Sequence, residues 1–151
     1  MKNILEDRAG QIDPELERML HEAEAQIQAG NYRDAADIAK SACEKFDHSP
    51  LPFHAVSVIY LRLLQNDKEH DQMWEDLADD EGLFEAAVGA AETALDIDEE
   101  FNPARNNLAI LFAMRGWWKE AIAQYETSLS IEPDQSQIRQ DLLKARKYIS
   151  Q

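Results

Sequence analysis

Apolar residues recur along this chain at helical spacing, and one stretch of the pattern returns at a fixed interval. Glu92-Thr93-Ala94-Leu95-Asp96-Ile97 comes back 34 residues later as Glu126-Thr127-Ser128-Leu129-Ser130-Ile131. A period in the thirties marks stacked units, none of which can bury its apolar face without a neighbour. Three further blocks share a register: Gly30 to Ala35, Gly82 to Ala87 and Gly116 to Ala121. Each has a glycine, an aromatic two residues on (Tyr32, Phe84, Trp118) and a small residue three further (Ala35, Ala87, Ala121). The pattern predicts that each glycine closes one helix in a left-handed cap, the aromatic anchors the next helix, and the alanine lets helices approach closely.

The expected helix starts are marked by a capping side chain before a proline: Asp13-Pro14, Ser49-Pro50 and Asn102-Pro103. Glu132-Pro133-Asp134 breaks the chain before a last helix from Ser136 to about Ile149, whose Ile138, Leu142, Leu143 and Ile149 are helically spaced. That helix reads as a cap, one face on the last unit and the other toward water.

Asn102 to Gln135 resembles a tetratricopeptide repeat, whose pattern is Trp-x2-Leu-Gly-x2-Tyr, then Ala-x3-Phe, then Pro over about 34 residues. Leu108, Ala121 and Pro133 match, Ala109, Phe112 and Tyr125 replace Gly, Tyr and Phe, and Arg105 stands at the Trp position. Leu16 to Ser49 is a second copy, with Ala23, Gly30, Tyr32, Ala35 and Ala42 in register. The middle copy, residues 50–101, is 52 residues long and so holds an 18-residue insertion at about 65–81. The resemblance implies an all-α, right-handed α-solenoid of three helix hairpins: repeats 16–49, 50–101 and 102–135, and a capping helix at 136–149. Residues 1–12 form an N-terminal tail to the single domain at 13–149.

The insertion carries Met73, Trp74 and Leu77 at helical spacing, with Asp71 as a cap, and reads as a short helix or an extension of the helix containing Glu85 to Leu95. Leu83 and Trp117 sit where a turn residue such as Asn31 is polar, so they are expected to form an apolar patch. Either Met73, Trp74 or Leu77 covers that patch, or the patch binds another chain.

Charge sharpens this picture. The chain carries net −15, and residues 66–100 alone carry −13, against −4 for 1–65 and +2 for 101–151. No broad basic surface exists for phosphate backbones, which argues against nucleic acid. No apolar run approaches a membrane span, the N-terminus lacks a signal-peptide core, and the single cysteine, Cys43, excludes an intramolecular disulfide. A cytoplasmic protein without membrane insertion is expected.

Candidate chemistry is thin. Asp67, Glu69 and Asp71, beside His70, have the spacing of a calcium loop but no central glycine, and Ala78 stands where the closing glutamate belongs; Asp96 and Asp98 fail likewise at Asn107. The histidines at 21, 48, 54 and 70 make no ligand pair, Cys43 reads as a packed thiol, and phosphate loops and nucleophile elbows are missing. No cofactor, metal or catalytic residue is expected.

The resemblance implies instead a peptide-binding concave groove lined by the first helix of each repeat. Carried over, its lining is Glu17, Leu20 and Glu24, then Leu51, His54, Val58 and Leu61, then Asn106, Asn107, Ile110, Ala113 and Met114, with Gln140, Lys144 and Lys147 from the cap; by periodicity alone Val58, Leu61 and Ile110 read equally as interhelical core. An apolar floor with amides and lysines at one end suits an extended or helical segment with apolar anchors. Some members of the family grip the carboxylate tail of heat-shock chaperones with Lys, Asn and Arg. Here only Asn107 fits, the other places holding Glu17, His21, Leu51 and Ala55, so such a clamp is not expected. The function read from this is a non-enzymatic adaptor or scaffold whose partner is another protein or peptide; a homodimer stays open. The alternative is a secretion-type or holdase chaperone: bacterial secretion chaperones for translocator proteins resemble this chain in size, acidity and three-repeat plan, from which the 18-residue insertion departs. The third reading, a metal-binding protein or enzyme, rests only on that unusual insertion.

Overall fold

The computed structural model describes residues 12–65 and 80–150. Among them are seven helices: α1 (Pro14–Gln28), α2 (Tyr32–Lys45), α3 (Pro50–Gln65), α4 (Asp80–Ile97), α5 (Asn102–Met114), α6 (Trp118–Ile131) and α7 (Ser136–Ile149). Each packs antiparallel-hairpin fashion on its neighbour in sequence, and α3 also touches α1 and α5. α1, α3 and α5 therefore form one layer and α2, α4 and α6 the other, while α7 packs on α6 and shares a buried cluster with Ala109 of α5.

Local chemistry explains most boundaries. The Asp13 carboxylate accepts from the amides of Glu15 at 2.8 Å and Leu16 at 3.4 Å, capping α1 as expected. Ser49 Oγ accepts from the Leu51 amide at 3.3 Å at the start of α3. Gly30 and Gly116 have φ of 84° and 74°, the left-handed conformation that ends α1 and α5 and that a Cβ disfavours. Gly82 departs from the expectation: it lies in the first turn of α4, which begins at Asp80, and closes nothing.

Small residues set the spacing between layers. Ala35, Ala39 and Ala42 of α2, and Ala87, Ala91 and Ala94 of α4, are fully buried at i, i+4, i+7. The same register in α6 holds Ala121, Tyr125 and Ser128, all buried. Side chains this short let helix axes approach, so the larger Ile59, Leu63, Leu83 and Leu111 fill the space between hairpins.

Buried polar groups tie the hairpins together. Asn107 Nδ2 donates to Ser57 Oγ at 2.6 Å, and Ser57 Oγ donates to the Ala87 carbonyl at 2.8 Å, so one relay joins α5, α3 and α4. A second junction centres on Gln135, whose Nε2 donates to the Ser128 carbonyl at 3.2 Å and the Glu132 carbonyl at 2.8 Å while its Oε1 accepts from Asn106 Nδ2 at 3.0 Å. Asn102, expected as a cap, instead lies buried inside α5 and donates to the Ser128 carbonyl at 3.1 Å. The residue preceding α5 is Phe101, which makes no side-chain cap. Each such bond satisfies a group that would otherwise cost about 1–3 kcal/mol to bury.

Candidate functional site

The inner layer of α1, α3 and α5, continued by α7, carries the residues expected to line a groove. Glu24 is exposed, and its carboxylate lies 3.8 Å from the Arg62 guanidinium of α3. Val58, Asn106 and Ile110 are half-buried, Met114 is 45% exposed, and Lys144 and Lys147 are exposed on α7. These positions form a surface with an apolar middle.

Four expected lining residues, Leu20, Leu51, Leu61 and Asn107, are interior instead. Leu20 packs with Leu16, Met19, Ala42 and Leu51, so Leu51 is interior with it. Leu61 belongs to the central core with Ile27, its counterpart one period earlier. Both point between helices because the apolar stripe of an inner helix is wider than the groove needs. Asn107 is 6% exposed and its amide nitrogen is committed to Ser57, so it offers no donor to a ligand.

His54 is the unusual group of the surface. Its ring meets Phe101 edge-on at 5.4 Å, its Nδ1 is sealed from solvent without a hydrogen-bond partner, and burial lowers its pKa to about 4. The imidazole is neutral at physiological pH. A buried acceptor without a partner is tolerated better than a buried N–H, which places the proton on Nε2. Arg105, next on α5, is directed away: its Nη1 donates to Gln124 at 3.1 Å and its Nη2 to the Glu99 carbonyl at 2.6 Å.

Of the second expected surface, only Leu83 and Trp117 fall among the described residues. Leu83 is 2% exposed and packs in the core with Phe84 and Leu111, because α4 starts before it and turns it inward. Trp117 is 47% exposed, yet its ring packs edge-to-face on Phe84 at 5.5 Å and against Phe112 at 5.9 Å, while the Arg115 guanidinium lies 4.2 Å from the Phe84 ring centre. Met73, Trp74 and Leu77 lie outside the described residues. Trp118 stacks on Tyr148 of α7 at 4.2 Å, fastening the last helix to α6.

Reactive chemistry finds little support. Burial, helped by Glu44, raises the Cys43 thiol to about 11, so it carries almost no thiolate at neutral pH. Among the described residues no three His, Cys, Asp or Glu side chains converge on a metal position, and no helix is long and apolar enough to cross a membrane.

No protein-family model and no curated relative matches the sequence. Solved structures do match the fold. The first tetratricopeptide domain of Spaghetti (RPAP3), solved with the HSP90 peptide SRMEEVD, superposes with TM-score 0.74 at 16% identity over 90% of this chain and 96% of that one. The Sgt2 domain from Aspergillus fumigatus gives 0.72 at 17% identity over 99% and 85%, and the Arabidopsis OM64 domain gives 0.72 at 16% over 88% and 95%. The chain has the tetratricopeptide-repeat fold.

Phe101 and Gln135 were not singled out by the sequence, although each fixes a groove residue, His54 and Asn106 respectively. Both lie in connections between helices, where apolar periodicity carries no information. Leu83 did carry a signal: with Ala87, Ala91 and Ala94 it continues one i, i+4, i+8, i+11 stripe.

Proposed function

We propose that this chain is a non-enzymatic interaction module that holds a segment of another protein along the groove of α1, α3, α5 and α7. The observation that carries the reading is the groove floor. Val58, Ile110 and Met114 keep apolar surface open between the neutral polar His54 and Asn106. Apolar pockets flanked by a few fixed polar groups bind peptide side chains while leaving the main chain to hydrogen-bond. Other tetratricopeptide structures support it, among them those solved with the HSP90 peptide SRMEEVD and the HSP70 peptide SGPTIEEVD. Those peptides are acidic, whereas the matching positions here are Glu17, His21, Leu51 and Ala55, with Asn107 turned to Ser57. A chaperone tail is therefore not the proposed ligand. The single cysteine fits a reducing, cytoplasmic setting.

The reading is tested with peptides selected against the protein from a random display library. Val58→Glu and Ile110→Glu should each weaken the selected peptides by at least about tenfold without lowering the melting temperature by more than a few degrees. Unchanged affinity in both variants would place binding elsewhere.

A further inference from the structure

The inner helices differ in charge in a way that orders the groove. α1 holds four carboxylates, Glu15, Glu17, Glu22 and Glu24, against Arg18. α3 and α5 hold no carboxylate and one cation each, Arg62 and Arg105. α7 holds Arg139, Lys144, Arg146 and Lys147 against Asp141. Arg105 is engaged by Gln124 and the Glu99 carbonyl, and on α1 Glu15 pairs with Lys45 and Glu22 with Arg18, while Glu24 and Arg62 make a loose 3.8 Å pair that leaves the Glu24 side chain 48% exposed. On α7, Arg146 lies 3.9 Å from Glu126 and Arg139 donates to the Pro133 carbonyl, while Lys144 and Lys147 have no ion-pair partner among the described residues.

The repeat register turns this difference into a row. Glu24, Val58, Ile110 and Lys144 are successive residues at one repeat position, separated by 34, 52 and 34 residues, the middle interval being one period plus the insertion. Glu24 and Lys144 are exposed and Val58 and Ile110 half-buried, so the row presents acid, apolar, apolar and base across the four inner helices.

We propose that this row selects an extended peptide with a basic residue over α1, two apolar residues over α3 and α5, and an acidic residue over α7. The inference rests on the groove-binding reading and adds its ligand class. Packed helices lie about 8–10 Å apart and an extended chain advances about 3.3 Å per residue, so successive anchors fall about three residues apart. The two charged ends are about 25–30 Å apart, well beyond the screening length of about 8 Å at physiological salt, so each end reads its own charge. His54, neutral and one turn from Val58, adds a hydrogen-bond donor that suits a main-chain carbonyl in the uncharged middle.

The test uses four ten-residue peptides with leucine at positions four and seven, serine and glycine between anchors, and ends of Lys and Glu, Lys and Lys, Glu and Glu, or Gln and Gln. Fluorescence anisotropy against the full chain should show the mixed-charge peptide binding about tenfold tighter than either like-charge peptide, the scale of two exposed ion pairs. Glu24→Lys should transfer the preference to the Glu and Glu peptide, and Lys144→Glu to the Lys and Lys peptide; both sites are exposed, and circular dichroism checks the fold. Equal binding of all four, including the Gln and Gln peptide, overturns the charge order while leaving the groove reading intact. Binding of none overturns both.

Discussion

Replacing Asn107 by alanine separates a structural amide from a ligand-binding one. The side chain is 6% exposed and its Nδ2 donates to Ser57 Oγ at 2.6 Å, while Ser57 donates onward to the Ala87 carbonyl at 2.8 Å. Losing that bond removes about 1 kcal/mol of net stabilisation and leaves a Ser57 lone pair without a donor. The vacated volume is buried and loses packing contacts, adding about 1–2 kcal/mol. The expected destabilisation is about 2–3 kcal/mol, or a fall in melting temperature of roughly 5–10 °C for a chain of this size. Urea unfolding followed by circular dichroism measures it, with the slope unchanged. The relay makes a second demand. Ser57→Ala leaves the Asn107 amide without its acceptor and removes the extra donor to the Ala87 carbonyl, so the double variant should cost less than the sum of the singles by about 0.5–2 kcal/mol. Loss of under about 0.5 kcal/mol for Asn107→Ala, or additive singles, would refute the relay.

Three further outcomes follow from the same geometry. Leu83→Ala should cost about 2–5 kcal/mol in urea unfolding because Leu83 is core, whereas a residue in a surface patch would cost almost nothing. Gly116→Ala, at φ 74°, should destabilise by about 1 kcal/mol, while Gly82→Ala, inside α4, should be neutral or stabilising, both read as melting temperatures. For His54 the folded pKa of about 4 lies below the ordinary 6.5, so the unfolded chain binds the proton first. Stability should therefore be full above pH 6.5 and fall as pH drops toward 4, by up to about 3 kcal/mol from this group. His54→Phe should flatten the unfolding free energy across that range, and an unchanged slope would show the imidazole to be solvated.

The helices were legible because the period supplies many constraints at once. A glycine, an aromatic and an alanine at fixed offsets, repeated, place Tyr32, Trp118 and their helices without any single residue being decisive. Asn102 and Asn107 were less legible. An amide at a helix start resembles a cap, and the partners that engage these two, Ser128 and Ser57, lie 26 and 50 residues away. Local patterns record a side chain's neighbours along its own helix, not the acceptor that a facing helix brings. Leu83 shows the complementary failure. Aligning it with Asn31 assumed that a turn sits at the same offset in every copy, but α4 begins at Asp80 and takes Leu83 into its buried stripe. On the inner helices periodicity left Val58, Leu61 and Ile110 open between surface and core; Val58 and Ile110 are half-buried, while Leu61, like Leu20, turns inward.

Binding in the proposed groove of α1, α3, α5 and α7 has a direct spectroscopic signature. The most direct measurement is a titration of the isotopically labelled full chain with a display-selected peptide, following backbone amide shifts residue by residue. Shifts should concentrate on α1, α3, α5 and α7 around Glu24, His54, Val58, Ile110 and Lys144, with α2, α4 and α6 unmoved. Shifts confined to α2, α4 and α6, or a selection that yields no binding peptide, would contradict binding in that groove.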